Sequence, residues 1–161
     1  MLPAEPNGSN LYRADLVLAV LRSYDVRCGQ PLLARARGES AAEYALRAYV
    51  APFVLLAHDA AATPRFTYAN QTAQRLFERD WNGLVGLPSH LSAEPDAREA
   101  RLQLLERVQR EGYSNDYTGV RISASGRRFT LLGGSVWTVS NGEGHAIGQA
   151  AAFADWAEIL H

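Results

Sequence analysis

"FTYANQTAQRLFERDWNGLVGLPSHL", residues Phe66–Leu91, changes its pattern several times over a short length. Phe66–Ala69 alternates apolar and polar residues, which predicts a half-buried strand. Asn70 can accept hydrogen bonds from a first helical turn, so a short helix starts there and runs to about Glu78. Ala73, Leu76 and Phe77 would form its inner face. Gly83 and Gly86 then break the chain, and Pro88 marks an irregular stretch. The stretch contains no phosphate loop and no metal-ligand spacing. Its role is architectural, and the fold is worked out from it in both directions.

Upstream, "FVLLAH" (Phe53–His58) is a continuous apolar run suited to a central strand, and "AATPR" is a turn. Two helices precede it. The first starts at Ser9 or Asn10 and runs to about Arg27, with Gly29 and Pro31 ending it. The second starts near Ser40, with Glu43 placed for a capping box, and Pro52 closes it. Downstream, "AEPDAREARLQLLERVQREG" is a long helix, with acids at its start, Arg at its end and Gly112 as its stop. Leu102, Leu105 and Val108 would be its buried stripe. Three strands follow, at about Tyr117–Ala124, Arg127–Val139 and His145–Phe153. "ASGR" and "SNGEGH" are hairpin turns, with Gly126 and Gly142 supplying positive φ.

Helices between two groups of strands indicate an α+β fold with a five-stranded antiparallel sheet. The chain divides into a disordered lead-in (1–9), an N-terminal helical extension (10–50), the strand-rich domain (51–156) and a C-terminal tail (157–161). In the fourth strand Phe129, Leu131, Ser135, Trp137 and Val139 would share one face, while Gly133-Gly134 suggests a bulge or a close approach. Both faces of this strand carry apolar residues, so the sheet needs a cover on each side. "LVLAVL" (Leu16–Leu21) is likewise apolar around more than one face. One stripe of this helix can pack on the sheet. The other would be exposed in a monomer, which predicts a homodimer through Leu11, Val17, Leu18, Val20, Leu21 and Tyr24. The alternative is that the second helix covers the remaining stripe within one chain.

Composition narrows the function classes. The chain has 161 residues, 47% hydrophobic and 20% charged, with a formal net charge of −1. That suits a single globular domain with no field that recruits nucleic acid or anionic membrane. Every basic side chain is Arg and none is Lys, so lysine Schiff-base chemistry and a P-loop lysine are excluded. The single Cys28 excludes an internal disulfide and fits a reducing cytoplasm. The opening "MLPAEPNGSN" has no signal-peptide pattern, and no run approaches a membrane span.

The ordered set Tyr68-Ala69-Asn70, Leu76-Phe77-Glu78, Trp81, Leu87-Pro88-Ser89, Leu91-Ser92-Ala93-Glu94-Pro95, Asp116-Tyr117, Arg121-Ile122-Ser123, Gly126-Arg127-Arg128-Phe129, Val136-Trp137 and Gly148-Gln149-Ala150-Ala151 resembles the MEKHLA branch of PAS-like domains, in its free-standing bacterial form. The resemblance runs from about Leu11 to Trp156. His90 stands where the family pattern would have Arg. In plants this domain ends leucine-zipper homeodomain transcription factors; neither of those segments is present here, so DNA binding does not carry over. The resemblance implies a sensory or interaction module with an internal cavity between the long helix and the sheet. The expected ligand-binding residues are Phe66, Leu76, Trp81, Leu91, Leu105, Tyr117, Arg121, Trp137 and Gln149. Arg121 would pair with an acidic ligand or a buried acid, because a lone buried guanidinium is costly.

Other chemistries are weaker on these residues. Ser89-His90 and His58-Asp59 are neighbours in sequence only, and no GxSxG elbow frames Ser89. Four scattered His residues lack metal-ligand spacing. Asn70 is followed by Gln71, without the Asn-Cys-Arg motif of the photosensor branch, which argues against covalent flavin chemistry. Non-covalent flavin, flanked by Trp81 and Trp137 and bonded by Gln149, stays open, as does haem on His90. Arg121, Arg127 and Arg128 near one hairpin are expected to pair with acids rather than phosphate. The expected function is a non-enzymatic sensor that binds a small ligand and signals through changed association, with a small-molecule enzyme or carrier as the alternative.

Overall fold

A computed structural model describes residues 3–160 of the chain. Two strands begin the sheet, β1 (Val54–Asp59) and β2 (Phe66–Ala69), and three long ones follow the helices: β3 (Tyr113–Ile122), β4 (Arg128–Ser140) and β5 (Ala146–Phe153). All pairings are antiparallel and the order is β2-β1-β5-β4-β3. A short sixth strand, β6 (Asp155–Glu158), continues past Ala154 and pairs with the start of β4. The expected tail from residue 157 therefore begins inside the sheet.

Helices cover both faces. On one lie α1 (Ala14–Cys28) and α2 (Ala41–Tyr49). Gly29 ends α1 at φ 74°, and Ser40 with Glu43 forms the expected capping box of α2. Val17, Val20, Leu21 and Tyr24 are buried against α2, Tyr68, Trp137 and Ala150 and Ala152 of β5. The second stripe of α1 is thus satisfied within the chain. Of the residues expected at a dimer interface, only Leu11, 57% exposed, and half-buried Leu18 reach solvent.

The lead-in is also placed, contrary to the reading of 1–9 as disordered. The Pro3 carbonyl accepts a bond of 2.9 Å from Trp81 Nε1, Tyr49 OH lies 2.9 Å from Glu5 Oε1, and Asn7 caps a 3₁₀ turn over Gly8–Arg13. Met1 and Leu2 lie outside the described residues. Leu11, Tyr12 and Arg13 adopt left-handed backbone, φ 54–56°, at a cost of about 1–2 kcal/mol each. This turn sets the entry angle of α1.

On the other face lie α3 (Gln71–Phe77) and α5 (Pro95–Glu111), linked through the short α4 (Trp81–Leu84) and a 3₁₀ turn at Ser89–Ser92. Asn70 joins the layers. Its fully buried Oδ1 accepts from Leu55 N and Ala73 N, both 3.1 Å, while Nδ2 donates to Ala48 O at 3.1 Å and Phe53 O at 2.8 Å. One side chain thus caps α3, holds the start of β1 and ties down the end of α2.

Three expectations are corrected here. Along β4, Phe129 and Leu131 face α3, but Trp137 and Val139 face α1. Gly133, at φ +60°, carries a bulge that switches the alternation between them. Along α5, the buried stripe is Arg101, Leu104 and Val108, with Leu105 half-buried and Leu102 56% exposed. The second hairpin turns with Gly144 at φ 81°, not with Gly142.

Candidate functional site

The α5 face of the sheet is built from small residues at its centre. Ala151 of β5 and Gly134-Ser135 of β4 leave unfilled space beneath α5. A Cβ at Gly134 would sit 2.8 Å from Leu131 Cδ1 and 3.4 Å from the Tyr117 carbonyl, so a side chain here would require Leu131 to shift. The result is a cavity of about 50 Å³ walled by Leu56, Phe66, Phe77, Leu105, Tyr117, Val136 and Phe153. A wider open cleft of about 610 Å³ adjoins it, between the β1–β2 turn, the 3₁₀ turn at Ser89 and the flank of α5. His58, Arg101 and Leu105 line both spaces and form the boundary between them.

Four expected residues are on the cavity wall: Phe66, Leu105, Tyr117 and Arg121. Gln149 lines the outer cleft, where its Nε2 donates to the Leu105 carbonyl at 3.0 Å and anchors α5. Leu76 packs in the neighbouring apolar cluster with Val54 and Phe77 and does not reach the wall. Leu91 turns outward, 37% exposed. Trp81 and Trp137 lie across the sheet, against Tyr68 (ring centroids 5.8 Å apart) and Tyr24 (4.9 Å) respectively. They cannot flank a ring in this cavity. The parity switch at Gly133 is why Trp137 was misplaced, and Trp81 follows its indole bond to Pro3.

The polar lining is cationic. Arg101 is 7% exposed and makes no hydrogen bond or ion pair among the described residues. Burial, with the charge of Arg121 second, pushes its pKa down to about 10. Arg121, also 7% exposed, donates to the Val120 carbonyl at 2.8 Å and to Tyr117 OH at 3.0 Å, and its guanidinium carbon sits 5.4 Å from the Tyr117 ring centroid. No carboxylate pairs with either guanidinium among the described residues.

His58 Nδ1 lies 2.8 Å from the Asp59 carbonyl. A carbonyl only accepts, so Nδ1 carries the proton and Nε2 presents a lone pair. That Nε2 is buried without a partner. Burial pushes the imidazole below its ordinary pKa, and the Arg101 charge adds to this. Ser89 Oγ is also buried without a partner, so it has no base beside it despite the adjacent His90. Two of the three hairpin arginines expected to pair with acids do so, and Arg121 does not: Arg127 lies 3.7 Å from Glu78 and 3.4 Å from Glu158, and Arg128 pairs with Glu94. No cluster of three or more metal-ligating side chains occurs among the described residues, and no described helix is long and apolar enough to cross a membrane.

Arg101 and His58 are the site residues that sequence reasoning passed over. The signal for Arg101 was present: Arg101, Leu104, Leu105 and Val108 are spaced i, i+3, i+4 and i+7, which places a cation on an apolar helical stripe.

Solved structures share this architecture at low identity. A PAS domain of a protein from Colwellia psychrerythraea aligns with TM-score 0.60 and 11% identity, over 71% of this chain and 92% of its own. A light-oxygen-voltage domain studied with a flavin analogue aligns with TM-score 0.57 and 12% identity, over 78% and 90%. The light-oxygen-voltage domain of a blue-light-activated histidine kinase from Erythrobacter litoralis aligns with TM-score 0.55 and 13% identity, over 68% and 98%. No match was found among curated proteins. At these identities the structures show the fold, PAS-like, and leave chemistry to the chain's own residues. The MEKHLA domain model matches residues 14–158, nearly the whole length, and so the chain belongs to the MEKHLA domain family.

Proposed function

We propose that this domain is a sensory module that takes a small ligand into the cavity beneath α5 and reports its presence through changed association with another protein. The observation that carries this reading is Arg101, a buried cation facing a cavity with no compensating carboxylate among the described residues. Buried charges are normally paired, so an unpaired one beside empty space has its partner outside the chain. The sheet supplies a route for the signal. Along β5, Ala151 faces the cavity while Ala150 and Ala152 face α1 and α2, so a strand displaced by the ligand also displaces the N-terminal cover.

The inner space, about 50 Å³, is far below the ~300–1,000 Å³ of a drug-sized pocket. A flavin or porphyrin would have to open the boundary at His58, Arg101 and Leu105. The module is read as non-enzymatic, since Ser89 has neither exposure nor a bonded base. The test is native mass spectrometry of protein purified without added ligand, followed by denaturation and identification of any released molecule. A stoichiometric small molecule, lost when Ala151→Leu fills the cavity, is the expected result. Ligand-free protein from several growth conditions, with sedimentation unchanged across them, would count against a sensor.

A further inference from the structure

The sensory reading leaves the ligand's chemistry open, and the cavity wall constrains it in three ways. Its size comes first. At about 50 Å³ the space is far smaller than a drug-sized pocket, so it takes only a small molecule. Its charge comes second. Two guanidiniums, each nine-tenths buried or more, face it without a carboxylate between them. A guanidinium offers a planar fork that matches a carboxylate or a phosphate. Its remaining surface comes third. Leu56, Phe66, Phe77 and Val136 are apolar, which suits a short alkyl body. Among its polar groups, one acceptor is held without a partner. His58 Nε2 is buried and unpartnered, and its tautomer is fixed by the Asp59 carbonyl, so it needs a donor from the ligand.

Resting on the sensory reading above, we propose that the ligand is a short hydroxy-carboxylic acid, its carboxylate held by Arg101 and Arg121 and its hydroxyl donated to His58 Nε2. The acid enters from the outer cleft, because Arg101 and His58 sit at the boundary of both spaces. The mouth carries Arg98 and His90 against Glu106 and Asp59, and Asp59 Oδ1 is already occupied by the backbone N–H groups of Ala61 and Arg65, at 3.2 and 3.1 Å.

The experiment uses the full chain, dialysed free of small molecules, with titration calorimetry and thermal shift against lactate, glycolate, propionate, lactamide and inorganic phosphate. Lactate or glycolate should bind saturably. Propionate, without the hydroxyl, and Arg101→Met, without the fork, should each bind about tenfold more weakly or worse, the scale of one charge-assisted or buried hydrogen bond. Far-UV circular dichroism confirms that the variant folds, and Arg121→Gln serves if it does not. Lactamide binding as tightly as lactate would overturn the carboxylate, phosphate binding more tightly than lactate would overturn the organic acid, and equal binding by propionate would overturn the role of His58. Binding of lactamide alone would leave the sensory cavity standing and remove the acid. Silence across the whole panel, together with no retained molecule in native mass spectrometry, would remove both.

Discussion

Replacing Arg101 with Met tests the energetics on which the site rests. The substitution keeps a long unbranched stem under α5 and removes only the charged head. Arg101 holds its charge at neutral pH with a pKa of about 10, so it is cationic in both the folded and the unfolded chain. A base whose pKa falls on folding destabilises the fold wherever both states are charged, and the penalty is relieved only above the folded value. A drop of roughly two to three from the ordinary guanidinium value, at about 1.4 kcal/mol for each, puts that penalty at about 3 kcal/mol. Arg101→Met should therefore stabilise the ligand-free protein at pH 7 by about 1–3 kcal/mol, the lower end allowing for imperfect packing of the thioether. For a chain of this length, that raises Tm by roughly 2–4 °C per kcal/mol. Urea unfolding followed by circular dichroism is the assay, with an unchanged slope as the check on two-state behaviour. A variant less stable than the parent would refute the reasoning, because the guanidinium would then have a compensating partner in the ligand-free state.

Asn70→Ala strands two buried N–H groups and two carbonyls, so it should cost about 4 kcal/mol in the same unfolding assay; a loss below about 1 kcal/mol would show that the layers do not depend on this side chain. Ala151→Leu should fill the cavity and add about 1 kcal/mol of stability, taking 50 Å³ at ~24 cal/mol per Å³, while abolishing ligand response; a destabilised variant would mean the space is not free to be filled. His58 is held below its ordinary pKa by burial, so the unfolded chain binds the extra proton as pH falls through about 6.5 and stability drops between pH 7 and 5. His58→Gln should flatten that part of the pH–stability curve, and an unchanged curve would assign the effect elsewhere.

Local chemistry was legible in the sequence wherever one residue type dictates one geometry. Asn70 before a helical run, Ser40 with Glu43, Gly112 after the long helix (φ 88°) and Gly126 in the first hairpin (φ 88°) all act as read. The need for a cover on both faces of the sheet was also readable, because β4 is apolar on both. What failed depended on parity or rotation. One bulge at Gly133 inverts every later side chain of β4, and alternation alone cannot say whether a Gly-Gly pair absorbs an extra residue. On α5, stripes at 102/105/108 and 101/104/108 both satisfy a helical period, and the rule that arginine faces water chose the wrong one. The same rule hid the cation that gives the site its character.

The strand order also has a consequence for how the chain folds. The two central strands, β1 and β5, lie at opposite ends of the domain, yet they pair along six residues from Val54↔Phe153 to Asp59↔Gly148. Roughly 90 residues separate them, so at ~5–20 residues per second of synthesis β1 waits roughly 5–20 s for its second neighbour. During that interval β2 protects one edge as a local hairpin, while the other edge displays Val54, Leu55 and Leu56 with unpaired backbone. Closure of such a long loop places this domain among the slower folders for its size. The interval before β5 arrives is when the domain is most open to edge-to-edge aggregation, and removing β5 would make that interval permanent.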